Sequence, residues 1–439
     1  MLTLRYIFRL ISAFFTRFKA LIVLGVLAGV VLFFLISLVI PAIGSQQVRK
    51  IGITGRFSPA TLPNEVLSLV GNGLTKMTPE GDVEPDLAKS WETPDKGKTW
   101  IFNLDTSRVW QDGKTIDSST INYQFSDLTI ERPDASTIVF KLENPYSPFA
   151  AVVSKPVFKK GLLGTGEWKV KKISVSGGFV SQLLLENSDK ERVIYKFYAS
   201  EDRLKLAFRL GEVHEIEGLV NPTPIDTWNK VEVDSRSDKG EYVALFFNTQ
   251  DKYLSEKNLR QALAYAIDKD NLGGERALGP ISEDSWSYNP QVKPYTFEPE
   301  KAKKTVSELP SELKEGMEIN LATSSLLLDK AEQIAKDWEA VGIKTNVQVY
   351  SVIPNDYQAL LAIFDIPEDP DQYSVWHSTQ TSTNITKYSS PRIDKLLEDG
   401  RTELNIEERK KIYLDFQRFL VEDSPAHFLY YPTTYTIKR

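Results

Sequence analysis

The sequence holds no cysteine, three histidines and three methionines, and no acidic residue before Glu65. Without thiols there can be no disulfide framework, thiol nucleophile or thiolate metal site, and no cysteine to carry a lipid tether. The histidines, His214, His377 and His427, form no HExxH pair, and their spacing puts no two on one helical face, so they read as structural or surface residues rather than metal ligands. No G-x-S-x-G elbow occurs, and Ser324, Ser325, Ser389 and Ser390 stand where helix capping accounts for them. Gly164-Thr165-Gly166 lacks the further glycine and the lysine–hydroxyl pair of a phosphate loop, and reads as a tight turn into a strand. The acidic stretch Asp365 to Asp371 lacks the central glycine and distal glutamate of a calcium loop, and reads as a proline-rich turn. The expectation is a protein that is not an enzyme and that uses no cofactor and no metal.

Against these absences stands one long apolar run, Ala20 to Ile40, without a charge. A helix rises about 1.5 Å per residue, so the run is long enough for the roughly 30 Å core of a bilayer. Arg5, Arg9, Arg17 and Lys19 precede it, and the positive-inside rule then sets residues 1–19 in the cytoplasm, 20–43 as a transmembrane signal anchor, and 46–439 outside. The alternative is a cleavable signal peptide with Ala42 and Gly44 as the small residues of the cleavage site, although its apolar region would be only about 7–15 residues long. The basic and aromatic first segment is suited to lying on an anionic inner leaflet, or serves as simple topogenic charge. The net charge is −6; the first fifty residues carry six basic and no acidic groups, which leaves −12 on the remainder and argues against a nucleic-acid partner.

The length of the exported part predicts two or three compact lobes, interwoven because no low-complexity linker divides them. From Gln46 to about Tyr198 the pattern is of strands and turns, with alternation over Thr99–Leu104 and Ser136–Leu142 and a strand over Trp168–Ile173. Ser255–Asp268 predicts an amphipathic helix with Ser255 as N-cap. Residues 317–350 predict a βαβ unit: a strand over Glu318–Ala322, a helix with Ala331, Ile334, Ala335 and Trp338 inward and Gly342 as C-cap, then a strand over Ile343–Tyr350. Two more helices are expected, one from Pro391 capped by Ser390 and one after Asn405, ended by Pro425 before a short strand at Phe428–Tyr431.

Several segments, in order, resemble the extracellular solute-binding proteins of family 5, the oligopeptide-, dipeptide- and nickel-binding proteins of ABC importers. Gly73-Leu74 followed by Pro85-Asp86-Leu87-Ala88-Lys89-Ser90-Trp91 is similar to its "GL" and "P-x-L-A-x-S-W" signature. Trp110-Gln111-Asp112-Gly113 resembles its "HDG" with glutamine for histidine, and Gly164-Thr165-Gly166-Glu167-Trp168 its "GTGPY" turn. Phe247-Asn248 and Leu259-Arg260-Gln261-Ala262-Leu263-Ala264-Tyr265-Ala266-Ile267-Asp268 are close to its "FN…VRQALAYAID". Asp369-Pro370-Asp371 through Trp376-His377-Ser378, and Tyr388 to Leu397, resemble its "DPD…WHS" and "Y-x-x-P-x-x-D-x-LL" stretches.

The resemblance implies an α/β, two-lobed periplasmic-binding-protein type II fold with an extra β-rich domain on the first lobe, preceded here by one N-terminal transmembrane helix. The implied division is 46–247 with 425–439 for the first lobe, including the extra domain at about 63–160, and 248–424 for the second, with crossings near Asn248 and Ser424. The shortness of the stretch between Ser118 and Asp134 implies a trimmed extra domain. The implied activity is capture of a peptide, or another small solute, between closing lobes for delivery to ABC permease subunits, with the bilayer as a further partner through residues 20–43. The resemblance points to Asp365 as the carboxylate for a peptide ammonium, with Asp369 or Asp371 as alternates, then to Tyr373 and Trp376, and to Asn72 and Gly73 on the facing segment. Other readings are a tethered peptide sensor or folding helper on the same fold, a membrane-anchored hydrolase, and nickel or haem capture.

Overall fold

The computed structural model describes residues 17–20, 24–25, 27–33, 48–352, 354 and 356–439. Residues 17–20, 24–25 and 27–33 are helical, and no helix among the described residues is long and apolar enough to cross a membrane. The rest of the expected span 20–43, and most of the basic segment before it, lie outside the described residues.

Arg49–Thr54 is the centre of a seven-stranded sheet ordered Glu232–Ser237, Thr433–Lys438, Glu215–Leu219, Arg49–Thr54, Arg192–Tyr198, Phe179–Glu186, Lys169–Ser176. The central strand pairs in parallel with both neighbours, and the outer pairs are antiparallel. Both faces are covered, as a largely buried sheet requires. The helix Glu201–Arg209 places Leu204, Ala207 and Phe208 at three- and four-residue spacing in a cluster with Ile216 and Ile437. On the other face the helix Asn64–Val70 sets Val66 and Val70 against Ile51, Leu183 and Leu185.

The second lobe is built on a six-stranded sheet ordered Glu275–Arg276, Ala426–Tyr431, Glu241–Phe247, Ala359–Asp365, Glu318–Thr323, Lys344–Val349. The βαβ unit is present, with Leu328–Ala340 as its helix and Ala331, Ile334, Ala335 and Trp338 buried; the helix ends at Val341, with Gly342 next in the left-handed region at φ +93°. The helix Lys257–Ala266 starts one residue later than a cap at Ser255 would have it. Its cap is Glu256, whose side chain accepts from the Asn258 N–H, because residues 251–255 are drawn into a turn around the Asp251 carboxylate. The last long helix, Ile406–Asp423, begins where Asn405 accepts from the Glu407 and Glu408 amides, and closes on Ser424 in the left-handed conformation.

The chain leaves the first sheet after Ser237 and enters the second at Glu241, and it returns across Pro432. These switches differ from the positions near Asn248 and Ser424 expected from resemblance. Residues 242–247 are buried on both faces of the strand and lie mid-sheet between Ala359–Asp365 and Ala426–Tyr431, so packing assigns both connecting strands to the second lobe.

Between Leu74 and Val157 the chain forms a separate small core of Trp100, Phe102, Phe140 and Phe149 under a four-stranded antiparallel sheet, Ala88–Glu92, Thr99–Leu104, Thr137–Leu142, Leu128–Asp134. Gln111, in place of the histidine of the resembled motif, ties this domain to the first lobe. Its amide nitrogen donates to the carbonyls of Val70, Gly166 and Trp168, and its oxygen accepts from the Gly164 N–H.

Candidate functional site

Two open cavities lie where the first lobe and the extra domain face the second lobe. One, of about 420 Å³, has Ser68, Gly71–Gly73, Lys76 and Ser154–Pro156 on one wall and Glu368 on the other. The next, of about 270 Å³, sets Met77–Pro79 and Gly81 opposite Lys239, Gly240, Ser282, Asp284 and Ile366–Glu368. They share Met77 and Glu368, so they read as one cleft. A third cavity, of about 230 Å³, opens at the carboxyl ends of the parallel strands of the second lobe, lined by Thr323, Ser324, Tyr350 and Leu360–Ile363. The strand Ala359–Asp365 runs from this cavity toward the cleft, with Asp365 between the two linings.

Asn72 and Gly73 line the larger cavity, and local packing holds them there. The Asn72 amide nitrogen donates to Asp86 at 2.8 Å and its oxygen accepts from the Thr165 hydroxyl at 2.9 Å, while Asp86 is paired with Arg108. A β-carbon on Gly73 would stand 2.3 Å from the Ser154 carbonyl oxygen, so only glycine lets the two wall segments touch. The neighbouring Lys155 also lines this cavity and has no carboxylate partner among the described residues.

The acidic turn separates into two classes of carboxylate. Asp369 is gripped by the Arg409 guanidinium, which donates from both terminal nitrogens at 2.9 and 2.5 Å, and Asp371 sits 3.2 Å from Arg401 while accepting from the Tyr373 amide. Both therefore serve structure. Asp365 and Glu368 are exposed and have no ion-pair partner among the described residues.

Asp365 stands directly opposite Glu241 on the antiparallel neighbour strand. Burial, then the charges of Asp238 and Asp365, push the Glu241 carboxyl up to about 7. Folding therefore takes up a proton on Glu241 between roughly pH 4.5 and 7, and its contribution to stability is lost as pH rises through that window. Glu241→Gln is expected to flatten the pH dependence of urea unfolding between pH 5 and 8 and to raise stability at pH 8, read from the midpoint at constant m.

Trp376 and Tyr373 line none of these three cavities. Trp376 is 1% exposed, its indole N–H donates to the Gln372 side chain, and its ring packs on Phe246 and Phe428. Tyr373 stacks on His377 at 4.1 Å, and the Arg401 guanidinium lies 4.3 Å from the centre of its ring. Arg401 also lies 4.9 Å from the Tyr146 ring of the extra domain, and its carbonyl accepts from the Ser147 amide. Tyr373 thus supports the place where the extra domain meets the second lobe. A second such contact is the Trp286 amide donating to the Glu80 carbonyl. Periodicity and motif could not separate these roles, because an aromatic beside a turn looks the same whether it faces a core or a ligand.

His214, His377 and His427 lie on separate elements and none lines the three cavities. Burial holds His427 neutral, well below the usual imidazole range, and its ring donates to the Arg260 carbonyl at 2.8 Å. The cleft residues that sequence reading missed are Lys155, Lys239 and Asp284, which carry no motif and come together only in the folded chain.

Comparison with known proteins places this geometry. The family described as bacterial extracellular solute-binding proteins, family 5 Middle, matches residues 119–384. The probable D,D-dipeptide-binding periplasmic protein DdpA of Escherichia coli K12 is 23% identical over 417 residues, covering 80% of this chain and 79% of that protein. NikZ from Campylobacter jejuni, solved in complex with Ni(L-His), superposes with a TM-score of 0.73 at 22% identity over 90% of this chain and 94% of its own. The oligopeptide-binding protein AppA of Bacillus subtilis, solved with a nonapeptide, gives 0.67 at 19% identity over 90% and 95%. At such identities the superpositions establish the fold, a two-lobed α/β architecture of periplasmic-binding-protein type II.

Proposed function

This chain belongs to the bacterial extracellular solute-binding proteins, family 5, and we propose that it captures peptides of the oligopeptide or dipeptide class between its lobes and delivers them to an ABC permease. The observation that carries the reading is the interlobe cleft beside carboxylates that have no ion-pair partner among the described residues. Its larger cavity, of about 420 Å³, falls within the size of small-ligand sites, about 300–1,000 Å³, and the walls of the cleft come from both lobes and the extra domain. Contacts made to both walls at once exist only when the lobes are together, so a bound ligand biases the protein toward that state.

Asp365 is the residue we assign to the peptide ammonium, since its alternates Asp369 and Asp371 are already neutralised by arginines. Asn72 and Gly73 form the opposite wall, on which peptide main chain can lie. Residues 20–43 serve in this reading as a single-pass anchor with residues 46–439 outside, a role resting on the apolar run, the basic residues before it and the absence of a cysteine for lipid attachment. Relatives named for dipeptides, oligopeptides and nickel support the class of small solute and favour peptides among them.

The test is mass spectrometry of small molecules released by denaturing protein purified without unfolding. Heterogeneous short peptides are expected, and Asp365→Ala is expected to weaken binding of a peptide with a free amino terminus by roughly tenfold or more while leaving an N-acetylated peptide unaffected. A single sugar, a metal complex or nothing reproducible would remove the peptide assignment.

A further inference from the structure

The charged groups of the cleft are unevenly neutralised. On the basic side, Lys76 is paired with Glu84 at 2.9 Å, and Lys239 is held between Glu275 and Glu283, two carboxylates for one ammonium. Among the described residues, Lys155 is left as the one cleft lysine without a counter-ion. On the acidic side, Asp86 is matched by Arg108, but Glu65, Asp284 and Glu368 line the cavities without an ion-pair partner among the described residues. All three are exposed, so they cost little desolvation while the cleft is open and wet.

Adding these clusters leaves an excess of negative charge on the cleft, before Asp365 at its edge is counted. Glu368 sits where the two cavities join, so a ligand occupying either one passes close to it. When the walls come together water is displaced and the effective dielectric falls, which strengthens the attraction for a cation and the repulsion of an anion.

We propose that this cleft selects ligands of net positive charge, and specifically peptides carrying lysine or arginine side chains over neutral and acidic peptides of the same length. The inference rests on the peptide-capture reading and deepens it. Glu368 and Asp284 are the specificity-determining residues, acting through charge opposite a mobile ligand side chain rather than through a shaped pocket. Such selection depends on charge at exposed positions, so it weakens as salt is raised.

The experiment is calorimetric titration of the full-length protein in detergent, cleared of co-purified ligand, with Ala-Lys-Ala, Ala-Ala-Ala and Ala-Glu-Ala, all with free termini. The lysine peptide is expected to bind roughly tenfold more tightly than the alanine peptide and the glutamate peptide more weakly still, with the spread narrowing at high salt. In the double variant Glu368→Gln, Asp284→Asn the spread is expected to shrink while thermal unfolding is unchanged, because neither carboxylate has an ion-pair partner among the described residues to lose. Equal affinity for the three, or a preference for the glutamate peptide, overturns the charge selection and leaves peptide capture standing. No binding by any of the three overturns both.

Discussion

Arg260→Met is expected to destabilise the second lobe by about 3–5 kcal/mol, the cost of stranding several buried polar groups at once. The guanidinium is almost fully buried and donates to four backbone carbonyls: Ser424 from Nε at 2.8 Å, Leu254 and Ser255 from one terminal nitrogen, and Asp423 from the other at 2.6 Å. Two of these carbonyls close the helix Ile406–Asp423 and two belong to the turn before the helix Lys257–Ala266, so one side chain satisfies the ends of both elements. Burial pulls the guanidinium below its ordinary value, and no carboxylate forms an ion pair with it among the described residues; its carbonyl partners compensate for the lost water. The measurement is urea unfolding followed by tryptophan fluorescence, with a fall in midpoint at unchanged m. Arg260→Lys is expected to recover less than half of the loss, since a single ammonium cannot reach carbonyls on both sides of the fork. Equal stability of the methionine variant would mean that water replaces the arginine at no cost.

Gly164→Val is expected to cost about 2–4 kcal/mol and to weaken ligand binding beyond what the loss of folded protein explains. A β-carbon at this position would lie 2.1 Å from the Val70 carbonyl oxygen, a backbone atom that cannot swing away. To make room, the turn at 164–166 must retreat from residues 69–71, breaking the bonds from the Gly166 amide to the Val70 carbonyl and from Gln111 to the same group. Asn72 and Gly73 follow directly and form the cavity wall, and Asn72 is itself held by Thr165. The stability loss is read from thermal unfolding and the wall displacement from peptide affinity of the fraction still folded. A variant that loses stability and keeps full affinity would separate the turn from the cleft.

Arg260 also shows what a motif can stand for. The decapeptide Leu259 to Asp268 is the most specific of the segments shared with the family, yet its arginine, its buried leucines and the Gln261 amide donating to the Glu422 carbonyl all serve lobe assembly. The same holds for the stretch from Asp369 to Ser378: Arg409 and Arg401 claim the aspartates, Trp376 is core, and Ser378 bonds Asp394. These signatures identify the family because they specify its fold, and for that reason they say little about its ligand.

What the amino-acid sequence determined by itself was therefore whatever depends on neighbours along the chain. The alternation at Thr99–Leu104, the βαβ unit around Trp338 and the capped helix from Asn405 are set by periods of two and 3.6 residues and by local hydrogen bonds, and each is legible in the order of the residues alone. Tertiary structure decided what depends on residues far apart. It put the strand Glu241–Phe247 in the middle of the second sheet, withdrew Trp376 into a core, and engaged Asp369 and Asp371 with arginines from later helices. It assembled the cleft from residues near 72, 155, 239, 284 and 368, because the charge and openness of a cavity belong to surfaces that meet only after the chain has crossed between its lobes.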